Sequence, residues 1–530
     1  MKKKLLSTLL ISHIVLLIHA QGYNNPIIPG FYPDPSICLV GKDYYLVNSS
    51  FEFFPGIPIW HSYDLVHWKQ IGNVLNRFSQ LDLRRVKKSD GLGAATIRYH
   101  NGTYYLAVTE SNHGFKNFFV TATNPAGPWS DPIQVDQGGI DASMFFDDDG
   151  KVYFQTNRAH QFSDERAIYQ SEIDVKSGKR LTEIKQLWKG SGGSYVEGPH
   201  IYKHAGFYYC LTAEGGTSYG HSVAIARSKS IWGPYQGCPF NPILTNRMSY
   251  SGLQGTGHAD LFQGNDGSWW MVHLGFRPAV DGVHTIGRET CLTPVEWNSD
   301  GWPVVNTIGM ADLEEKISPP KYNGTNELAE VYGTTNFDKP LGFEWVFIRN
   351  PDSANYSLKQ RSGFLSLKGS VFTLDSVASP TFLGIRQRHF NVKISSTLNY
   401  LPQNQNEEAG ITVYMCPFFH YDCYVTAQGK QKFINLRYTL ESIKQVCAHI
   451  PIANGAIKIV INTSKTSYNF SVTDSAGVKH SLGTLPSRFL GTEVAGGFTG
   501  IMIGLYATGN GKNSTSNAFF DDFEYSPIDK

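Results

Sequence analysis

The sequence predicts an all-β protein built in two parts, and three observations support that prediction. Of the 530 residues, 41% are hydrophobic, 13% aromatic and only 17% charged, which excludes a disordered chain, a coiled coil and a collagen-like repeat. The 52 glycines, 28 tyrosines and 32 phenylalanines favour many short strands joined by tight turns. A hairpin pattern recurs along the first 318 residues and then stops, and no segment shows a convincing helical period.

The N-terminal segment predicts export. Three lysines at positions 2–4 precede an apolar run over residues 5–18, and a small residue, Ala20, follows. This order is typical of a secretory signal peptide, here residues 1–20, and fits a buried N-terminal helix less well. No cysteine follows the predicted cleavage point, and no later segment is apolar for long enough to span a bilayer. We expect an exported protein without a membrane anchor, in the bacterial periplasm or secreted.

Charge and cysteine content narrow the range of partners. With 46 basic and 45 acidic residues the net charge is +1, so there is no electrostatic case for binding nucleic acid or an anionic membrane. We expect a neutral partner. The seven cysteines are odd in number and include no CxxC pair, which suggests neither a disulfide scaffold nor a zinc site. Cysteine pairing and oligomeric state stay open.

Five repeated segments organise the first part of the chain. Each has alternating apolar residues, a turn and paired aromatic or apolar residues, and they begin 47 to 61 residues apart, at Asp34, Ala94, Asp141, Glu197 and His258. Turns such as Asn101-Gly102 and Asp149-Gly150 are typical of β-hairpins. A period near 50 residues with several strands per unit is typical of propeller blades. We therefore predict a five-bladed β-propeller over residues 24–318.

The repeat predicts that acidic side chains converge. The innermost strand of every propeller blade lines the central channel, so the leading positions of the five segments should face one another. Three of them are carboxylates, Asp34, Asp141 and Glu197, and a fourth is His258. Each acid alone has an ordinary interpretation as a turn cap or an ion pair. Together they suit glycosidic bond hydrolysis, which needs a proton donor and a base, while a third acid raises the pKa of the donor.

The second part of the chain begins after Ser318, where the hairpin repeat ends. Over residues 325–530 about a dozen short alternating runs predict a two-sheet β-sandwich. The connection between the parts lacks the long Gly/Ser-rich or Pro-rich tract of a free linker. We therefore expect the sandwich to pack against the propeller rather than to act as a tethered module.

Several motifs together resemble glycoside hydrolase family 43 over nearly the whole mature chain. They read NPIIPGFYPDPSI, SSFEFFPGIPIWHSYDLVHW, GGIDASMFFDDDG, YVEGPHIYK, TAEGGT, GHADLF and IGRET. The resemblance implies a five-bladed β-propeller followed by a concanavalin-like β-sandwich, or jelly roll. It also implies an inverting exo-glycosidase, either an α-L-arabinofuranosidase or a β-xylosidase, that requires no cofactor.

The resemblance also implies roles for individual residues. Asp34 resembles the general base, Glu197 the general acid, and Asp141 the residue that tunes and orients that acid. The residues that resemble substrate-binding positions are Phe51, Gly93, Thr217, His258 and Arg288. In parts of the family the histidine supports an axial calcium ion or a water cluster, whereas a hydrogen-bonded channel filler is its ordinary role. A C-terminal loop closes the pocket in the family, and residues 498–506 are the candidate.

One departure from the family pattern bears on sugar choice. Xylosidase-type members carry a tryptophan and a proline where this chain has Gly93 and Ala95, so the pocket wall from the second blade is smaller here. We therefore favour α-L-arabinofuranosyl residues of plant hemicellulose side chains or oligosaccharides, with β-xylosidase or dual activity as the alternative. Phe53 or Phe54 could instead swing in and restore the wall. A binding-only propeller should lack one of the acids, and none is missing.

Overall fold

The computed structural model describes residues 22–112, 114–158, 166–320 and 333–528. In these ranges, regular structure is almost entirely β-strand. The helices are three short 3-10 segments, Val280–Gly282, Ser353–Asn355 and Ser487–Leu490, and one α-helix, α1 (Thr492–Ala495). The all-β prediction is confirmed. The predicted signal peptide, residues 1–20, lies outside the described residues. No helix in the described ranges has the length and apolar character needed to cross a membrane.

Twenty-three strands make up the first part of the described chain. They are β1 (Tyr23–Asn24), β2 (Ser36–Val40), β3 (Asp43–Val47), β4 (Phe53–Phe54), β5 (Gly56–Ser62), β6 (Lys69–Leu75), β7 (Leu92–His100), β8 (Thr103–Glu110), β9 (Lys116–Ala122), β10 (Ile133–Val135), β11 (Ser143–Phe146), β12 (Val152–Thr156), β13 (Ile168–Ile173), β14 (Lys185–Trp188), β15 (Glu197–His204), β16 (Phe207–Glu214), β17 (Ser222–Ser228), β18 (Gln236–Gly237), β19 (Gln254–Gln263), β20 (Trp269–Phe276), β21 (Glu289–Trp297), β22 (Pro303–Val305) and β23 (Glu314–Glu315).

These strands form a series of four-stranded antiparallel sheets. Over the described residues there are five, β2-β3-β5-β6, β7-β8-β9-β10, β11-β12-β13-β14, β15-β16-β17-β18 and β19-β20-β21-β22. The first strand of each sheet contacts the first strand of the next, and β19 contacts β2. Buried side chains pack between neighbouring sheets, as Val47 and Ile97 do between the first two. The first strands thus form a closed series.

A left-handed backbone conformation marks the same position in each repeat and corrects the sequence alignment. It occurs two residues before continuous hairpin pairing sets in, at Asp34 (φ 53°), Ala94 (46°), Asp141 (60°), Gly198 (60°) and His258 (45°). The equivalent residue in the fourth segment is therefore Gly198, and the alignment that placed Glu197 there was wrong by one residue. A Cβ atom at Gly198 would lie 3.1 Å from the imidazole of His258, so this crowded position favours glycine.

The second part of the chain contains two larger sheets. Its strands are β24 (Gly333–Thr335), β25 (Phe347–Ile348), β26 (Tyr356–Ser357), β27 (Leu365–Lys368), β28 (Thr381–Arg386), β29 (Val392–Asn399), β30 (Glu408–Cys416), β31 (Phe419–Gln428), β32 (Gln431–Leu440), β33 (Ile443–Ile452), β34 (Ile457–Thr463), β35 (Ser467–Thr473), β36 (Lys479–Pro486), β37 (Met502–Thr508) and β38 (Asn517–Pro527). One sheet has the order β26-β27-β38-β29-β34-β35-β36, with β24 beside β38, and the other β28-β37-β30-β31-β32-β33. The predicted two-sheet arrangement is confirmed.

The two parts share a sheet and a core. Strand β4 of the first part pairs with β25 of the second, and the Arg349 amide donates to the Glu52 carbonyl at 2.8 Å. Phe31 and Phe53 of the first part pack in one buried cluster with Ile348 and Phe382 of the second. Because this cluster excludes water only when both parts are present, it holds the second part against the first.

Candidate active site

One cavity of about 250 Å³ lies where the first strands of the sheets begin. The structure brings every site residue predicted from the sequence to its lining, namely Asp34, Phe51, Gly93, Asp141, Glu197, Thr217, His258 and Arg288. Phe498 of the second part also lines it. The rest of the predicted loop, residues 499–506, does not line the cavity. These residues are buried, and from Met502 onward they belong to strand β37. The cavity therefore combines a cluster of acids with one aromatic residue from the other part of the chain.

Asp34 is held in its ionised form. Its Oδ2 accepts a hydrogen bond from the Ser49 hydroxyl at 2.6 Å, and its Oδ1 accepts one from Arg288 Nη1 at 3.0 Å. The Nδ1 atom of His258 lies 3.8 Å from Oδ1. Burial by itself would raise the pKa of this carboxyl, but Arg288, His258 and Ser49 outweigh burial and lower it. An ionised carboxylate can accept a proton from water.

Glu197 and Asp141 have the opposite shift. Burial raises the pKa of Glu197 to about 7, the negative charge of Asp34 adds to this, and nearby arginines partly oppose it. Burial, followed by the charge of Glu197, likewise raises the pKa of Asp141 to about 7. Asp141 Oδ2 accepts a hydrogen bond from the Gly198 amide at 2.9 Å, which ties it to the residue that follows Glu197. A carboxyl that keeps its proton near neutral pH can act as a proton donor.

Arg288 connects the acids to the second part of the chain. Its Nη2 donates to the Phe498 carbonyl at 3.1 Å, and its guanidinium lies 5.7 Å from the ring centroids of both Phe51 and Phe498. Those two rings stack with their centroids 6.1 Å apart. The Phe498 amide donates to the Ser89 hydroxyl at 2.8 Å. The aromatic side of the cavity is therefore fixed by polar contacts from both parts.

The wall at Gly93 is open. A Cβ atom at this position would meet no other atom within 4 Å, so the cavity has free volume beside Gly93. The idea that Phe53 or Phe54 restores the wall is wrong, because both side chains are buried in strand β4 and neither lines the cavity. The sugar site is consequently wider on this side.

The possible calcium ion near His258 stays a prediction. In the described part of the chain, no group of three or more His, Cys, Asp or Glu side chains is arranged to hold a metal. Two residues after His258, the buried Asp260 accepts a hydrogen bond from Arg98 Nη1 at 2.8 Å, and Arg98 Nη2 lies 2.9 Å from His200 Nδ1. Tyr202 donates to the same aspartate at 2.6 Å. The Asp260 carboxylate is thus already paired with a guanidinium.

The comparisons with known proteins decide the family. Residues 23–303 match the model described as glycosyl hydrolases family 43, and residues 334–526 match that of the beta xylosidase C-terminal concanavalin A-like domain. The chain belongs to glycoside hydrolase family 43. It is a glycoside hydrolase, and its substrate is a carbohydrate.

Individual relatives carry two kinds of name. The chain is 42% identical, over 96% of both sequences, to a non-reducing end alpha-L-arabinofuranosidase of Bacteroides ovatus. It is 38% identical to a xylosidase/arabinosidase of Butyrivibrio fibrisolvens, over 96% of this chain and 99% of that one. A solved structure described as Bacteroides ovatus xyloglucan PUL GH43B superposes with a TM-score of 0.90 at 41% identity, covering 96% of this chain and all of the other.

Sequence reasoning missed several residues of this family 43 site. Ser49 positions Asp34 by donating to its carboxylate, and it also accepts a hydrogen bond from the Ala94 amide at 2.7 Å. The sequence Ser-Ser-Phe at residues 49–51 is only a weak signal for these two contacts. Phe115 lines the cavity from the loop before β9, with no motif around it. His221 is buried beside Gly257, and burial lowers its pKa to about 4, so its ring is neutral. Its Nδ1 lies 2.6 Å from the Gly216 carbonyl.

Proposed function

We propose that this glycoside hydrolase removes terminal non-reducing α-L-arabinofuranosyl residues from plant hemicellulose side chains or oligosaccharides. The observation that carries the proposal is the open wall at Gly93, which leaves room for the exocyclic hydroxymethyl group of a furanose. The name of the Bacteroides ovatus relative supports the same substrate. Activity on β-D-xylosides is the second candidate, because other relatives are named xylosidases.

The proposed mechanism is a single displacement. Asp34 takes a proton from a water molecule while the water oxygen forms a bond to the anomeric carbon. Glu197 gives its proton to the glycosidic oxygen as the bond from that oxygen to the anomeric carbon breaks. The opposite pKa shifts of these carboxyls supply a base and an acid at the same pH. Attack from the face opposite the leaving group inverts the anomeric configuration.

The remaining site residues position these groups and the sugar. Asp141 places a second acid near Glu197, and we infer that it orients that donor through its hydrogen bond from the Gly198 amide. Arg288 holds Asp34 ionised and orients it through the Nη1 contact. The stacked rings of Phe51 and Phe498 form one side of the cavity. We propose no cofactor, since side chains alone supply both proton transfers.

The finer architecture and the location are also proposals. We infer that the five four-stranded sheets are the blades of a propeller over residues 24–318, followed by a sandwich domain over residues 325–530. The closed series of contacts between first strands supports the propeller. We also infer that a signal peptide is removed at about residue 20 and that the protein is exported to the bacterial periplasm or secreted. This inference rests on the N-terminal sequence, in which basic residues precede an apolar run.

Gly93 provides the test of sugar choice. We expect the unmodified enzyme to have a higher kcat/KM for the nitrophenyl α-L-arabinofuranoside than for the β-D-xylopyranoside. Gly93→Trp should narrow or reverse that ratio by filling the space a furanose needs. The added ring would also stack on the face of a pyranose. Such stacking contributes about 0.5–1.5 kcal/mol, so the ratio of the two kcat/KM values should move by about 2- to 13-fold.

Gly93→Ala is the matched control, because its Cβ enters open space and adds no ring. It should leave the ratio close to that of the unmodified enzyme. A tenfold or greater preference of the unmodified enzyme for the xyloside would contradict the arabinofuranosidase proposal and support the xylosidase alternative.

A further inference from the structure

An exposed aromatic ring stands beside the proton donor and has no part in the mechanism above. Tyr195 lies two residues before Glu197, and 52% of its surface is exposed. Its backbone is left-handed, with φ at 57°, a conformation that bulky residues rarely adopt. Strained backbone of this kind concentrates at ligand sites, and Asp34 and Asp141 share it here.

Two contacts hold the ring of Tyr195 at the edge of the cavity. The guanidinium carbon of Arg166 lies 4.4 Å from the ring centroid, a cation–π distance. Gly216 lies against the ring edge, where its Cβ would be 3.3 Å from Cδ2. The next residue, Thr217, lines the cavity itself. Tyr195 is thus fixed beside the cavity while about half of its surface faces solvent.

The position of the ring relative to Glu197 determines which part of a substrate it can meet. Glu197 donates its proton to the glycosidic oxygen, so the leaving sugar must lie on the Glu197 side of the cavity. Arg166 is near enough to the Glu197 carboxyl to oppose the rise of its pKa. Tyr195 and Arg166 therefore flank the side from which the leaving sugar departs.

We propose that Tyr195, held by Arg166, is a stacking surface for the leaving sugar, a neutral pyranose ring of the oligosaccharide that carries the pentose. A pyranose has an apolar face of C–H groups that packs on an aromatic ring, and a rigid ring binds it with little loss of side-chain entropy. This inference rests on the proposed function. It makes Tyr195 a determinant of selectivity for the leaving group rather than for the pentose.

The experiment compares a substrate with a leaving sugar to one without. Tyr195→Ala and Tyr195→Gly both remove the ring, and the glycine variant also relieves the left-handed backbone. Each should lower kcat/KM on an arabinosylated xylo-oligosaccharide by about 3- to 10-fold, with most of the change in KM, and leave kcat/KM on α-L-arabinofuranosyl fluoride unchanged. Tyr195→Phe keeps the ring and should retain activity on both substrates.

Tyr250 supplies the matched control, because it is a fully exposed tyrosine that does not line the cavity. Tyr250→Ala should behave as the unmodified enzyme on both substrates. If the Tyr195 variants lost kcat/KM equally on the fluoride and the oligosaccharide, or lost none on the oligosaccharide, the stacking role of Tyr195 would be overturned. An unmodified enzyme inactive on both arabinofuranosyl substrates would instead contradict the proposed function, and xylosyl fluoride with a xylo-oligosaccharide would then test Tyr195 in the same way.

Discussion

At the scale of single residues, the partners of three neighbouring carboxyl groups give them different protonation states. Asp34 accepts hydrogen bonds from Ser49 and Arg288 and has a lowered pKa. Among the described residues no cation is hydrogen-bonded to Glu197 or Asp141, and burial together with neighbouring negative charge raises the pKa of each to about 7. The difference in pKa between these carboxyls therefore depends on their burial and partners, and not on the type of side chain.

The raised pKa of Glu197 predicts how activity depends on pH. A proton donor works only while protonated, so kcat/KM should fall as pH rises through about 7. Because Glu197 and Asp141 interact, that alkaline limb belongs to the pair. Asp34 has a lowered pKa and stays ionised in weakly acidic solution, so activity should persist there. Measuring kcat/KM on an arabinosylated oligosaccharide from pH 4 to 9 checks this.

The same prediction has a test by substitution. Glu197→Gln should lower kcat/KM by about 10²–10⁴-fold on the oligosaccharide and much less on the nitrophenyl arabinofuranoside, because nitrophenolate leaves with little protonation. Glu183→Gln, at an exposed glutamate, is the control and should change neither value. If Glu197→Gln lowered kcat/KM on both substrates by the same factor, Glu197 would not be the proton donor.

At the scale of elements, the segment that follows the short helix α1 supplies Phe498 to the lining of the cavity. The Ala495 carbonyl accepts a hydrogen bond from Lys88 Nζ at 2.7 Å, and the His284 amide donates to Glu493 Oε2 at 2.9 Å. Gly287 and Gly500 come so close that a Cβ on Gly287 would lie 3.0 Å from the Gly500 Cα. These contacts bring Phe498 to the cavity beside Arg288.

Removing the Phe498 ring should weaken sugar binding. Phe498→Ala deletes one of two stacked rings and exposes Arg288 to water, so we expect KM to rise and kcat/KM to fall by about 3- to 10-fold on both nitrophenyl glycosides. Phe240→Ala, at an exposed phenylalanine away from the cavity, should match the unmodified enzyme. Unchanged kinetics for Phe498→Ala would show that the second part contributes no binding energy at the site.

At the scale of the whole molecule, the two parts are joined by a shared strand pair and a shared core. Strand β4 of the first part finds its pairing partner, β25, only in the second part, and the cluster around Phe31 and Phe382 spans both. Arg349 of the second part is fully buried and donates through Nε to the Val86 carbonyl at 2.6 Å. Separation would expose apolar side chains and leave buried polar groups unsatisfied.

Truncation after Ser318 should therefore yield insoluble or inactive protein. The shortened chain keeps all three acids but loses Phe498, the partner of β4 and most of the shared core. The measurement compares the truncated protein with the full mature chain in solubility, unfolding temperature and activity on nitrophenyl arabinofuranoside. A soluble truncation with full activity would mean that the second part is an independent module.

The local patterns of the chain determined the all-β class and the hairpins, and its motifs located eight of the residues that line the cavity, because strand alternation, turn chemistry and motif spacing are properties of neighbouring residues. Tertiary structure alone decided that Gly198, not Glu197, occupies the repeated left-handed position, since the imidazole of His258 crowds it from another sheet. It also decided which carboxyl is ionised, that Phe115 lines the site, and that Phe498 is the residue of the predicted loop that does so. Burial, charge pairing and contacts across hundreds of residues leave no signal at the positions they join.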